Sequence, residues 1–140
     1  MPQRTMGEIV RDQRPLVLAP TATVSEACAA MYARKVGAVL VADDDRRLQG
    51  IFTGRDAVRL LAEGLDAKAT AVAAVMTRSP TTLGPRATAM DALLLLNDCG
   101  FRHVPIVDDG RIVGIVSRYD FRAKEHARLD EETGFLEAMR

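Results

Sequence analysis

Residues 20–56 and 85–120 are two copies of one pattern, and this internal repeat limits the possible folds more than any single motif does. Pro20 aligns with Pro85, Ala27 with Ala92 and Asp43 with Asp108, each pair 65 positions apart. Past a turn that is one residue shorter in the second copy, the offset becomes 64, as in Gly50 to Gly114 and Asp56 to Asp120. Each copy reads strand–helix–strand–strand–helix and is small for a core of its own. The expected architecture is therefore α+β: two βαββα repeats packed with pseudo-twofold symmetry around one shared core.

In chain order, repeat 1 occupies residues 1–64. A helical turn at 5–10 precedes a short strand at Leu16–Leu18, which Ala19-Pro20 ends. Thr23-Val-Ser-Glu26 is a capping box opening a helix to about Lys35, with Val24, Ala27, Cys28 and Met31 at helical spacing. Ala38–Ala42 and Leu48–Thr53 form a hairpin around the polar turn Asp43–Asp45, and a helix from Arg55 to about Glu63 stops at Gly64. Residues 65–71 are a linker. Repeat 2 spans 72–125, with a turn at Val72–Met76, a strand at Thr81–Leu83 and a helix opened by Thr88-Ala-Met-Asp91. Its hairpin, Val104–Val107 with Ile112–Val116, leads into a long helix after Ser117. A helical tail covers 126–140, where Gly134 is expected to interrupt the helix before Phe135, Leu136 and Met139.

Composition narrows the function classes. The 140 residues carry 19 basic and 19 acidic side chains, a balance that argues against a generic nucleic-acid or membrane-surface binder. No apolar run is long enough to span a bilayer, and polar residues follow Met1, so neither a membrane anchor nor a signal peptide is expected. Cys28 and Cys99 lack CxxC spacing and read as small core residues in a reducing, cytoplasmic setting. His103 and His126 lie far apart, and no metal cluster or nucleophile–base pair is visible, so neither a catalytic residue nor a metal ligand is assigned.

The most informative duplicated stretch is Gly50-Ile-Phe-Thr-Gly-Arg-Asp56 with its echo Gly114-Ile-Val-Ser-Arg-Tyr-Asp120. Each reads as a strand end turning into a helix, with Thr53 or Ser117 at the cap and the aspartate at the third helical position. A hydroxyl there bonds a phosphate or sugar, a carboxylate takes ribose hydroxyls, and a helix N-terminus favours an anion. The plain structural alternative is that Ser/Thr-x-x-Asp is only a capping box with a short acid. The duplication of the whole stretch favours function.

Together with Val75-Met-Thr77 and His103-Val-Pro-Ile-Val-Asp108, these stretches resemble the tandem CBS-domain pair, also called a Bateman module, over residues 6–125. The resemblance implies a regulatory module that binds AMP, ADP, ATP or S-adenosylmethionine, requires no cofactor, and acts on an attached or docked effector protein. It also implies pairing of two modules into a homodimer. Carried over by position, Asp56 and Asp120 would hold ribose hydroxyls, and Thr53 and Ser117 the phosphate or nearby sugar. Arg55, Tyr119, Arg102 and His103 would reach phosphates. Backbone groups at Leu16-Val17 and Thr81-Thr82 would meet the adenine edge, and Val39 and Pro105 would wall the base. Arg102 also suits an ordinary surface charge, His103 a half-buried strand histidine, and Thr82 a plain strand residue.

The copies differ where Arg102-His103 of the second faces Gly37-Ala38 of the first, so the two sites are expected to be unequal, with the second better for a phosphate. The leading function is a stand-alone sensor of an adenosine-containing ligand that transmits occupancy to a partner, without catalysis. The alternative is a ligand-free dimerisation or scaffold protein of the same fold. Leu93–Leu96 and the tail's Phe135 and Leu136 are the apolar residues expected to cover a second copy.

Overall fold

A computed structural model describes residues 3–138. The chain forms two compact units, and the repeat boundary is not the unit boundary. The first unit consists of residues 14–81 with 109–112, and the second of residues 3–13, 82–108 and 113–138. The short segment that opens each repeat thus belongs with the hairpin of the other.

In the first unit, β1 (Val17–Leu18), β2 (Ala38–Ala42), β3 (Leu48–Thr53) and β4 (Thr77–Arg78) form a sheet in that order. The β1–β2 pair is parallel and the others antiparallel. Helix α2 (Val24–Arg34) starts where Thr23 Oγ accepts the Glu26 amide at 3.0 Å, and it ends at Lys35 in the left-handed conformation. Among the described residues only this threonine half of the expected reciprocal cap forms. Val24, Ala27 and Met31 bury one stripe of α2 against Val39, Val41 and Phe52 of the sheet. Helix α3 (Gly54–Ala62) contributes Leu60, and Val72, from a 3-10 turn at Val72–Ala74, completes this core.

The second unit is built the same way. Helix α1 (Met6–Ile9) supplies Met6 and its C-cap residue Val10; α4 (Ala89–Asp98) supplies Ala89, Ala92, Leu93 and Leu96 at helical spacing. They pack on Val104, Ile106 and Val116 of the hairpin formed by β5 (His103–Asp108) and β6 (Arg111–Ser117). Helix α5 (Ala123–Ala138) adds Leu129. Each unit carries a core of its own. The swapped entry segments supply the apolar side chains that a repeat alone lacks.

Equivalent backbone bonds anchor the two entry segments. Met6 N donates to Ala87 O and Gly7 N to Pro85 O, matching Val72 N to Ala22 O and Ala73 N to Pro20 O. Ala89 N donates to Arg4 O as Val24 N does to Thr70 O, so Arg4 and Thr70 occupy equivalent places.

Three expectations need correction. The strand at Thr81–Leu83 shrinks to one parallel bridge, Leu83 with Ile106. In the first unit Leu40 N bonds Leu16 O; the position equivalent to Leu40 is Pro105, which has no amide to offer Thr81. The pairing that does form before it is β4 on β3, ended by Ser79 at φ 47° and then Pro80. No long helix starts at Ser117: a 3-10 turn, Arg118–Asp120, is followed by extended Phe121, and α5 begins at Ala123. Phe121 puts its ring into the core, where the first copy has the small Ala57 on a continuing helix. Finally, α5 runs through Gly134 to Ala138, since one glycine costs a helix only about 1 kcal/mol. Met139 lies outside the described residues.

Candidate functional site

The duplicated motif begins with a glycine for a packing reason. A Cβ on Gly50 would lie 2.5 Å from the sulfur of Met76 and 2.8 Å from the carbonyl oxygen of Thr77. A Cβ on Gly114 would lie 2.5 Å from Val10 Cβ and 2.9 Å from Gln13 Oε1, the oxygen that accepts the Ile115 amide. In both units the glycine lets the entry segment close on the strand that carries it.

The hydroxyl and carboxylate that follow are joined to each other. Thr53 N donates to Asp56 Oδ2 at 2.9 Å, Thr53 Oγ donates to the same oxygen at 3.0 Å, and Asp56 N returns a bond to Thr53 Oγ. In the second copy Ser117 N donates to Asp120 Oδ2 at 2.7 Å, with Ser117 Oγ 3.5 Å from that oxygen. Tyr119 N donates to Ser117 Oγ at 3.3 Å. Both copies are reciprocal caps, each worth about 0.5–2 kcal/mol to its turn. One carboxylate oxygen is occupied in each. Oδ1 of Asp56 faces Arg59 at 3.7 Å, whereas Oδ1 of Asp120 has no bond among the described residues. An α-helix N-terminus stands behind Thr53, but only a single 3-10 turn stands behind Ser117.

Of the other predicted residues of the second unit, His103 lies near Asp120. His103 opens β5, half-buried, and its Nδ1 is buried with no hydrogen-bond partner among the described residues. Burial pushes its pKa below the usual histidine value; the nearby Asp120 carboxylate opposes that shift and Arg102 adds to it. Arg102 is exposed just before the strand, and Tyr119 is 91% exposed on the turn. Thr82 is half-buried in irregular chain beside the Leu83 bridge. The Pro105 ring is fully buried in the sheet, as is Val39 in the first unit. Arg55 is exposed on the first turn of α3, and opposite Thr53 in the β2–β3 register stands Ala38, with no charge to offer.

Two neighbours of the motif carboxylates went unread in the sequence. Arg59 is three residues beyond Asp56 on one helix, a spacing at which an ion pair is legible. Arg4 donates through Nη2 to the Asp120 carbonyl at 3.2 Å from 116 positions away, and only the pairing of entry segments hints at it. An open groove of about 650 Å³ lies between α2 and α3, lined by Cys28, Met31, Tyr32, Lys35, Val36, Gly54 and Ala57. It contains none of the predicted ligand residues and adjoins them only through Gly54.

A family model described as the CBS domain matches residues 6–63 and again 72–126. The chain belongs to the CBS-domain family. It is 37% identical over 115 residues to the CBS domain-containing protein CBSCBSPB2 of Arabidopsis thaliana, covering 81% of this chain and 21% of that protein. It thus spans about a fifth of the first curated relatives' length. Among solved structures, the CBS domain NE2398 is 30% identical with a TM-score of 0.77, covering 85% of this chain and 94% of the other. The CBS domain protein PAE2072 from Pyrobaculum aerophilum, complexed with AMP, gives a TM-score of 0.82 at 23% identity, covering 91% and 98%. The CBS domain pair of MJ0100, in complex with 5′-methylthioadenosine and S-adenosyl-L-methionine, gives 0.74 at 22%, covering 94% and 99%. At these last identities the likeness establishes the fold of a CBS-domain pair. No helix among the described residues is long and apolar enough to cross a membrane.

Proposed function

We propose that this CBS-domain pair is a regulatory module that binds an adenosine-containing ligand and conveys its occupancy to an effector protein, without catalysis of its own. AMP, ADP, ATP and S-adenosylmethionine are the ligand candidates, the cytoplasm is the setting, and no cofactor is required. The observation that carries the reading is the unsatisfied group at the second-unit site: the buried, unpartnered Nδ1 of His103 next to the Asp120 carboxylate. Buried polar atoms are rarely left without a partner, and each exception calls for a water, an ion or another group to complete its bonding. A nucleotide suits it: phosphate oxygens for His103 and Arg102, a sugar hydroxyl for the open oxygen of Asp120, and a base or sugar face for Tyr119. The AMP in PAE2072 and the S-adenosylmethionine in MJ0100 support the ligand class.

Signalling would follow from differential affinity: a ligand that binds one conformation better shifts the population toward it. A homodimer belongs to the same proposal. The motivating surface lies chiefly on α2 and α3, where Tyr32 is 88%, Val58 68% and Leu61 80% exposed. On α4, Leu93 and Leu96 are buried, Leu95 is half-buried and Leu94 is exposed.

A thermal-shift panel of AMP, ADP, ATP, NAD and S-adenosylmethionine tests the ligand reading, because a ligand that binds only the native state raises Tm. A shift with one or more of them at millimolar concentration is expected. Absence of any shift would favour the ligand-free dimerisation or scaffold protein.

A further inference from the structure

We propose that Arg4 is a positioning residue for the Asp120 site. This inference rests on the ligand reading above for its functional meaning, but its geometry is independent of it. The guanidinium is held first by Glu125: Nε lies 3.1 Å from Oε2 and Nη2 2.5 Å from Oε1, a two-point fork that fixes its plane. The same Nη2 reaches the Asp120 carbonyl oxygen at 3.2 Å. Glu125 is anchored in turn, its Oε1 accepting the Arg122 amide at 2.8 Å. The hydrogen bond from Arg4 holds the Glu125 carboxyl below its usual pKa, and the same pairing raises that of Arg4.

The reason a cation is needed is visible in the other unit. There the helix continues past Asp56, whose carbonyl lies within the regular ladder of α3. After Asp120 the 3-10 turn ends and Phe121 is extended, so no helical amide follows to take that carbonyl. Arg4 supplies the missing donor from the entry segment. The equivalent residue in the first unit, Thr70, turns its hydroxyl back to Asp66 O instead. Arg4 thereby fixes the backbone that presents the Asp120 carboxylate and Tyr119. By the reciprocity of coupled equilibria, a ligand on Asp120 would also tighten the entry segment.

The test has one arm with ligand and one without. Calorimetry with AMP compares wild type, Arg4→Ala, Arg4→Lys and Thr70→Ala, all well below their Tm. The expected result is a loss of about tenfold or more in affinity for Arg4→Ala, partial recovery for Arg4→Lys, which keeps the charge but not the fork, and none lost for Thr70→Ala. Arg4→Ala binding AMP as wild type does would overturn the proposal. If wild type itself takes up no AMP, the ligand reading is what has failed, and the second arm decides the inference. In the ligand-free protein, Arg4→Ala should speed hydrogen exchange at the Ser117 and Tyr119 amides by about tenfold while leaving Thr53 and Asp56 unchanged. Unaltered exchange at Ser117 and Tyr119, in Arg4→Ala and Arg4→Lys alike, would show that Arg4 positions nothing there.

Discussion

Gly114→Ala is the substitution that most directly tests how the second unit is held together. In an open strand, alanine in place of glycine is stabilising by about 0.5–1 kcal/mol, since it lowers the entropy of the unfolded chain. Here the new methyl would sit 2.5 Å from Val10 Cβ and 2.7 Å from Val10 Cγ1. Carbon atoms need about 3.5–4 Å, so one side must retreat by about 1 Å. Val10 Cβ is fixed to its backbone, and no rotamer moves it. The retreat falls on the segment just after α1, whose preceding turn is tied down by the bonds of Met6 and Gly7 to Ala87 and Pro85. Overpacking of this kind costs about 1–3 kcal/mol, which set against the intrinsic gain leaves a net loss of up to about 2.5 kcal/mol and lowers Tm by up to roughly 10 °C.

Urea denaturation of three variants separates the effects. Gly114→Ala should be the least stable. Gly50→Ala should lose less, because its nearest neighbour is the flexible end of Met76, although the Thr77 carbonyl at 2.8 Å leaves some cost. Gly54→Ala should be neutral or slightly stabilising, since its nearest neighbour is a carbonyl oxygen 4.0 Å away and alanine favours the helix. Pairing Gly114→Ala with Val10→Gly removes the opposing Cβ and should recover part of the loss in a double-mutant cycle. If Gly114→Ala matches wild type in midpoint, the close approach of the entry segment to β6 is not what the glycine serves.

Further outcomes follow from the same geometry. Asp120→Ala and Arg102→Ala should each weaken AMP or ADP binding by about ten- to a hundredfold, more than Asp56→Ala does; calorimetry in which Asp56→Ala abolishes binding and Asp120→Ala does not would reverse that ranking. His103, held neutral near pH 7 by burial, should take up a proton when a phosphate binds beside it, so affinity should rise as pH falls from about 7.5 towards 6, and His103→Gln should flatten that slope. Without ligand the sign is opposite for stability: the folded pKa lies below the unfolded one, so His103's contribution is present above the usual histidine pKa and is lost as pH falls through the folded value, read by Tm against pH. Light scattering at tens of micromolar should give a dimer, and Leu61→Glu with Tyr32→Glu should give a monomer; a monomeric wild type would refute the pairing.

Much of this was legible because local rules and the repeat agree. Thr88 with Asp91 announces its cap three residues apart, and the helical spacing of Ala89, Ala92, Leu93 and Leu96 gives the buried face of α4. The lost strand at Thr81 was legible in principle, since Pro105 aligns with Leu40 and a proline cannot donate. What spacing cannot reveal is exchange between repeats. Nothing near Arg4 in the sequence says that it meets Glu125 and Asp120, and nothing near Gly114 says that Val10 arrives against it. The early end of the turn after Ser117 was likewise hidden, because burying Phe121 outweighs the helical propensity of the residues around it.

The duplicated Ser/Thr-x-x-Asp is both a cap and a candidate ligand site, and the two copies separate these roles. Around Asp56 nearly every polar group is satisfied: Oδ2 by Thr53, Oδ1 near Arg59, and the backbone by α3. A site so satisfied gains little when a ligand replaces water, because new bonds must displace existing ones. Around Asp120 the helix has been cut short. Among the described residues one carboxylate oxygen stays open, Tyr119 stands in solvent, and His103 carries a nitrogen with no partner. Leaving such groups unmet costs stability, and a core-filling Phe121 together with the Arg4–Glu125 fork offsets that cost locally. The same truncation that removes the helix N-terminus from the second copy is what exposes its bonding groups. A nucleotide should therefore favour the second-unit site because of what the shortened turn leaves unbonded, and not because a helix dipole attracts it.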